Sequence, residues 1–232
     1  MKKSTACSIL LALFFLPFLL QAQKNKEVET RSFTAFSKVV MEGNLDILLY
    51  PSDENKIQVE SNKKVDWDNL ITEIRGDELH VYFVNHPINP PKLKIKLAFT
   101  QLEALVLEGK VRVLSQSPIV EENLRIHVNG LIKGRLDVET TKLSVHVEGV
   151  SRLVLGGKSE YLTLRLEGMG RIDASDLVAQ YADTRVEGMG KTKIDVRKEY
   201  IASHEGIGSI HYAGNPKKKK INREGISIVR KR

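Results

Sequence analysis

The sequence predicts an all-β protein whose second half is a right-handed parallel β-helix, and three observations support this. Glycines recur about every 19 residues, aliphatic and polar residues alternate before each glycine, and no long helical period follows the N-terminal segment. A fixed period near 20 residues is typical of a solenoid, in which each coil buries its apolar side only by stacking on its neighbours. We expect stacked coils from about Leu102 to Val229.

The N-terminus carries a targeting pattern ahead of this fold. Lys2 and Lys3 precede an apolar run from Ala6 to Leu20, and Ala22 follows as a small residue. This order is typical of a secretory signal peptide, and the run is shorter than the ~20 apolar residues that a membrane-spanning helix needs. We therefore expect residues 1–22 to be removed, leaving no transmembrane span. The protein would be exported to the periplasm or to the cell surface and outer envelope.

Composition narrows the possible chemistry. Cys7 is the single cysteine and lies in the predicted signal peptide, so the exported chain would have no disulfide, thiol nucleophile or thiolate metal site. Without Lys2 and Lys3, the 36 basic residues become 34 against 29 acidic ones, a net charge of about +5. The chain has few aromatic residues to stack on bases, so nucleic acid is not an expected partner.

Residues 23–99 form a less regular β region. Alternating runs such as Leu93–Leu97 predict strands, and Val39–Leu45 has the pattern of one later coil. We expect this region to begin the β-helix or to cap its open end, because an exposed solenoid end is an unpaired sheet edge. Trp67 and Tyr82 are assigned to the core or to the cap.

Residues 100–232 carry the regular repeat and a basic C-terminal tail. Positions four and two before each glycine are aliphatic, as in Leu105 and Leu107, and should form ladders inside the coils. Glycine is expected at a corner, where a positive φ or close stacking penalises a Cβ. The corner glycines are Gly109, Gly130, Gly149, Gly168, Gly188 and Gly206. Ile221–Val229 are expected to close the far end, with the basic tail discouraging end-to-end stacking.

Several short motifs resemble those of a known family. They are Phe36-x-x-Val39 leading into Glu42-Gly43, Asp68–Ile71 followed by Gly76–Leu79, the repeated Gly-x-Gly-x-Ile/Leu, and the closing Gly206–Pro216. These motifs are similar to those of the head GIN domain family, auto-transporter adhesin-like proteins of Bacteroidetes-type envelopes. This chain departs from the family in having glutamate before most of the repeated glycines. The resemblance implies a β-helical envelope domain and no catalytic residues.

A column of glutamates is the sharpest local feature of the repeat. Its members are Glu108, Glu148, Glu167, Glu187, Glu205 and Glu224, with Asn129 as the exception. Like charges stacked ~4.8 Å apart repel each other. Ion pairs with flanking basic residues would relieve this repulsion, and so would calcium bound between adjacent carboxylates. The Asp-rich turns of calcium solenoids are absent, so no cofactor or metal is expected. His127 and His146 are interpreted as exposed repeat residues rather than as a metal-binding pair.

Three residues after the glycines, a basic column runs through five consecutive coils. Its members are Arg112, Lys133, Arg152, Arg171 and Lys191. This column is either the counter-row to the glutamates or a binding stripe that follows the phosphate or carboxylate groups of an acidic glycan.

Catalysis has little support in the sequence. Asp173, Asp183 and Asp195 occupy different coil positions, and no nucleophile elbow, phosphate-binding loop or zinc motif occurs. The sequence therefore predicts a non-enzymatic, adhesin-like or scaffolding protein of the cell envelope, with an acidic glycan or a surface protein as partner. The alternatives are a polysaccharide-active β-helix enzyme and a purely structural module that oligomerises.

Overall fold

The computed structural model describes residues 27–61, 63, 65–85 and 90–232. The predicted signal peptide and its cleavage site lie outside these residues. The described part of the chain forms nine β-strands and one short 3-10 helix, Trp67–Asn69, and contains no α-helix. The strands are β1 Glu27–Phe33, β2 Lys38–Pro51, β3 Asn55–Ser61, β4 Leu70–Arg75, β5 Glu78–Phe83, β6 Lys92–Phe99, β7 Ala104–Ser115, β8 Ile119–Ala213 and β9 Lys218–Lys231. The all-β prediction is confirmed.

All nine strands belong to one open sheet. Its main order is β1-β3-β6-β2-β7-β8-β9, with β5 joined to β2 and β4 joined to β5. The pairs β1–β3, β3–β6 and β4–β5 are antiparallel, whereas β2, β7, β8 and β9 pair in parallel. The right-handed parallel β-helix with coils of about 19 residues stays a prediction.

Strand β2 joins the repeat although it lies in the less regular N-terminal half. Gly43 stands opposite Gly109, and Gly109 stands opposite Gly130 in the next pairing. The assignment of Val39–Leu45 to a repeat is thereby confirmed. The other edge of β2 is covered, since Lys38–Met41 pair with β5 and Asn44–Pro51 pair with β6.

The core consists of the aliphatic ladders that the sequence predicts. Each of their members is at most 1% exposed, which confirms the inward register of the positions four and two before each glycine. They are Leu105, Ile126, Val145 and Leu164 in one ladder, and Leu107, Val128, Val147, Leu166 and Val186 in the other. Full burial of one such side chain contributes about 1.5–3 kcal/mol before entropy is counted, so these ladders dominate the stacking energy.

The interior becomes more polar towards the C-terminal end. Thr184, Thr192 and His204 are fully buried, and the Thr184 hydroxyl lies 2.8 Å from the hydroxyl of buried Tyr200. Burial raises the pKa of Tyr200 above its ordinary value, so its hydroxyl stays protonated. The two hydroxyls therefore satisfy each other in a site that water does not reach.

Strand β9 ends the sheet with charged residues at inward positions. Lys219, Arg223 and Lys231 stand opposite Tyr200, His204 and Tyr212, which are buried in the preceding repeat. A tenth parallel strand would have to bury these cations, which is costly without partners. The residues predicted to close the far end, Ile221–Val229, all lie in this strand.

Candidate functional site

A column of glycines fixes the register of the exposed side chains. From Gly109 to Gly206 the φ angles of the six corner glycines lie between +99° and +124°. A Cβ on Gly149 would collide with the backbone of Gly130, and one on Gly168 would collide with that of Gly149. Both constraints exclude larger residues, so each repeat stacks directly on the glycine of the preceding one. Side chains at equal offsets from the glycine therefore form columns.

The glutamate column contacts the column two positions earlier, both within one repeat and between adjacent repeats. Glu148 lies 3.6 Å from His146 and 3.9 Å from His127, and Glu167 lies 3.1 Å from His146. Arg185 contacts Glu187 in the same way. This part of the predicted ion-pair network is present.

The basic column takes no part in that network. Among the described residues, the only ion pair of this column joins Arg171 to Asp173 at 2.8 Å. The distance along the strand gives the reason. Side chains two residues apart lie ~7 Å from each other on one face, whereas the glutamate and basic positions lie four residues apart with the corner glycine between them. The interpretation of the basic column as the counter-row to the glutamates is therefore wrong.

Four cations of the basic column consequently project into solvent. Arg112, Lys133, Arg152 and Lys191 are exposed, and no ion pair within 4.0 Å is formed by any of them in the described part of the chain. Arg112 stands directly opposite Lys133 across the β7–β8 pairing. Like charges held at such spacing repel, so an anion laid along the column would be attracted to several of them at once.

An apolar column, which the sequence reasoning missed, runs beside the basic column. It occupies the position directly after the five corner glycines from Gly130 to Gly206, and its side chains are 45–53% exposed. The members are Leu131, Val150, Met169, Met189 and Ile207. Ile226 continues it on β9 with 77% exposure. The signal was present, because the residue after five successive glycines is a large aliphatic one. Solvent-exposed strand positions are normally polar, so an unbroken exposed apolar column marks an interaction surface.

The two columns share one face of the sheet. The residue between them on each strand points inward, as Val111, Ile132 and Ser151 do. Their separation of two residues places the columns ~7 Å apart, and successive repeats are ~4.8 Å apart. We call this surface, formed by the basic column and the apolar column, the amphipathic face.

The carboxylates considered for catalysis do not converge. Asp173 accepts hydrogen bonds from Ser175 at 2.6 Å and Arg171 at 2.8 Å, and Lys193 lies 3.2 Å away. Partial burial alone would raise the pKa of Asp173, but these hydrogen bonds outweigh it and hold the pKa well below the ordinary range. A carboxylate that stays ionised and triply bonded serves neither as a general acid nor as a ready base.

Two aromatic residues form a smaller exposed feature elsewhere on the surface. Tyr161 and Tyr181 stack with ring centroids 4.9 Å apart, and Lys198 lies over the Tyr181 ring at 5.3 Å. Of the aromatic residues assigned to core or cap, Trp67 packs against the core and the Tyr82 hydroxyl donates to Glu73 at 3.0 Å.

The fold and the amphipathic face define an all-β repeat protein that presents long columns of like side chains to its surroundings. The chain belongs to the head GIN domain family, whose model, "Putative auto-transporter adhesin, head GIN domain", matches residues 35–216. The family resemblance in the sequence is thereby confirmed. The family description is that of an exported or surface protein. The described residues contain no helix that is long and apolar enough to cross a membrane.

Solved structures share the fold at low sequence identity. A protein of Bacteroides fragilis NCTC 9343, described as an adhesin, is 20% identical with a TM-score of 0.85, covering 90% of this chain and 98% of that one. A protein of Parabacteroides distasonis ATCC 8503, described as a "Putative lipid binding protein", is 20% identical with a TM-score of 0.69 and the same coverage. A protein of Parabacteroides merdae ATCC 43184, also described as an adhesin, is 16% identical with a TM-score of 0.64, covering 89% and 97%. A search of curated proteins finds no match.

Proposed function

We propose that the protein is a non-enzymatic, adhesin-like protein of the cell envelope that binds an anionic lipid surface through its amphipathic face. The observation that carries the proposal is the pairing of an exposed apolar column with a column of cations that lack carboxylate partners. A protein that lies on a membrane needs both features on one side, because apolar side chains enter the headgroup boundary and cations contact the anionic headgroups.

The electrostatic part of the binding follows from the basic column. A cation held near an anionic leaflet contributes about 1 kcal/mol, and the effect decays within a Debye length of ~10 Å at 0.1 M salt. Four such cations that lose no internal ion pair on binding therefore give a salt-dependent attraction of about 4 kcal/mol. Arg171 adds less because Asp173 already neutralises it.

The apolar column favours a lipid surface over a glycan as the ligand. An acidic glycan, the ligand expected from the sequence, would use the basic column alone. Leucine, valine, methionine and isoleucine side chains offer a sugar neither hydrogen bonds nor an aromatic stacking surface. A membrane boundary buries the half of each side chain that the sheet leaves exposed, at about 25 cal/mol per Å² of apolar surface. The structural neighbour from Parabacteroides distasonis, described as a lipid-binding protein, points in the same direction.

Vesicle co-sedimentation tests this function. The purified protein is mixed with phosphatidylcholine vesicles with and without phosphatidylglycerol, at low and at high salt. The expected result is binding to the anionic vesicles that high salt weakens. Two variants should lose it: one with all five cations of the basic column changed to Gln, and one with the five members of the apolar column changed to Thr.

A matched control separates the amphipathic face from net charge. Changing Lys217–Lys220 to Gln removes a similar number of charges from another part of the chain, and this variant should still bind. Failure of the folded wild-type protein to bind anionic vesicles would refute the lipid proposal and leave a surface protein to be sought by cross-linking. Binding to soluble polygalacturonate that needs the basic column but not the apolar column would replace the lipid with an acidic glycan.

A further inference from the structure

Two histidines and a glutamate from adjacent repeats bring their metal-binding atoms together on the surface. One ligand atom each from His127, His146 and Glu148 lies within 4.8 Å of the other two. The Glu148 carboxylate is 3.6 Å from His146 Nε2 and 3.9 Å from His127 Nε2. The sequence suggests only the histidine pair, and the structure adds the carboxylate.

The repeat register creates this arrangement. Both histidines stand three residues before a corner glycine, so they stack on successive repeats with ring centroids 5.0 Å apart in an edge-to-face arrangement. Glu148 stands one residue before its glycine, beside His146 on the same strand face. Asn129 occupies the corresponding place beside His127, so the pair faces a single carboxylate at this level rather than two. No other repeat has histidine at this position.

We propose that His127, His146 and Glu148 bind a zinc ion. Two imidazole nitrogens and one carboxylate oxygen are a donor set that Zn²⁺ uses with a water in the fourth position. A tetrahedral ion with bonds of ~2.0–2.1 Å holds its donors about 3.4 Å apart. The two histidine–carboxylate distances are within half an ångström of that value, and the histidine ligand atoms lie within 4.8 Å of each other, so side-chain rotations that draw the imidazoles together complete the site.

Access and selectivity follow from the same residues. The three side chains are 39%, 31% and 42% exposed, so an ion reaches them from solvent and water can fill the open position. Glu167 lies 3.1 Å from His146 Nε2, so zinc at that nitrogen would displace this contact and free the Glu167 carboxylate to accept a hydrogen bond from the bound water. Imidazole suits zinc and related transition metals, whereas calcium takes six to eight oxygen ligands, so calcium should not bind here.

A bound zinc ion would also reduce the charge repulsion within the glutamate column. It places positive charge beside Glu148 and Glu167, two stacked carboxylates that repel each other. Because the ligands come from two successive repeats, the ion also crosslinks them. Metal binding should therefore raise the melting temperature of the protein as well as show a binding isotherm.

Isothermal titration of the untagged protein with zinc chloride tests the site. The expected result is one equivalent bound with micromolar affinity, at least tenfold weaker binding in His127→Gln and in His146→Gln, and no signal with calcium chloride. His80→Gln is the matched control, because His80 lies 3.2 Å from Glu78 in a lone histidine–carboxylate pair. That variant should bind zinc like the wild type.

Thermal denaturation gives a second, independent readout. Zinc should raise the melting temperature of the wild type and of His80→Gln, but not that of the His127→Gln/His146→Gln double variant. Undiminished zinc affinity in the double variant would overturn the assignment, as would the absence of a stoichiometric zinc isotherm in the wild type. Neither result bears on vesicle binding, which uses other residues.

Discussion

Replacing one corner glycine by alanine should weaken the whole stack. In Gly168→Ala the new Cβ points at the backbone of Gly149, well inside van der Waals contact, while φ stays near +120°. The collision is with backbone atoms rather than with the end of a flexible side chain. It can be relieved only by moving two repeats apart, which disturbs the ladders on both sides.

Two costs add up at this position. A non-glycine residue held at positive φ costs about 1–3 kcal/mol, and forcing extra atoms into a packed site costs a further ~1–3 kcal/mol. The total is roughly 2–6 kcal/mol. In a domain of this size each kcal/mol lowers the melting temperature by about 2–4 °C, so we expect a fall on the order of 5–20 °C.

Gly76→Ala provides the comparison for the assay. Gly76 lies between β4 and β5 with φ +66°, and no atom lies within 4 Å of the position that a Cβ would take there. This variant carries the conformational cost alone, about 1–3 kcal/mol, and should lose roughly half as many degrees as Gly168→Ala by circular dichroism or calorimetry. Equal losses in the two variants would refute the reasoning, because close stacking would then not be what excludes a side chain from the column.

Two further predictions concern polar groups inside and beside the sheet. In Asp173→Asn the melting temperature at pH 7 should fall below that of the wild type. The difference should shrink below about pH 4. The reason is that the depressed pKa of Asp173 in the folded state stabilises the protein above the unfolded-state pKa, and this stability is lost on acidification. Asp183→Asn, at an exposed carboxylate, is the control. A loss of melting temperature in Asp173→Asn that did not change with pH would contradict the prediction. Thr184→Val should cost about 1–3 kcal/mol in urea unfolding by leaving the Tyr200 hydroxyl without its buried partner. Adding Tyr200→Phe to this variant should recover part of that loss. If the free-energy losses of the two single variants simply added up in the double variant, the two hydroxyls would not interact.

The parts of the fold that follow from local spacing could be predicted from the sequence. Glycine spacing and the alternation before it identified the inward ladders, and the same pattern placed Glu42-Gly43 in a repeat. The antiparallel pairing of β1 with β3 and of β3 with β6 could not be predicted. Those strands carry no repeat signature, and their register depends on long-range pairing rather than on sequence neighbours.

The candidate site was harder to predict because its geometry depends on directions along the strand. Counting charges suggested that the glutamates and the basic column would pair. Instead, the glutamates contact the column two positions earlier, as in Glu148–His146 and Glu187–Arg185. The apolar column was overlooked for a different reason. Met169 and Met189 are apolar, as core residues are, and only their position relative to the glycine shows that they face outward.

The glycine column has a consequence for how this protein can change over generations. Each repeat contacts mainly its two neighbours, and the glycine carries no side chain that has to match a particular partner. Gain or loss of one whole repeat, for example the segment from Gly149 to Glu167, would leave both ends of the sheet intact. It would lengthen or shorten the amphipathic face by one step of ~4.8 Å. The span of contact with a partner is therefore a quantity that duplication and deletion can adjust, one repeat at a time, without redesigning the fold.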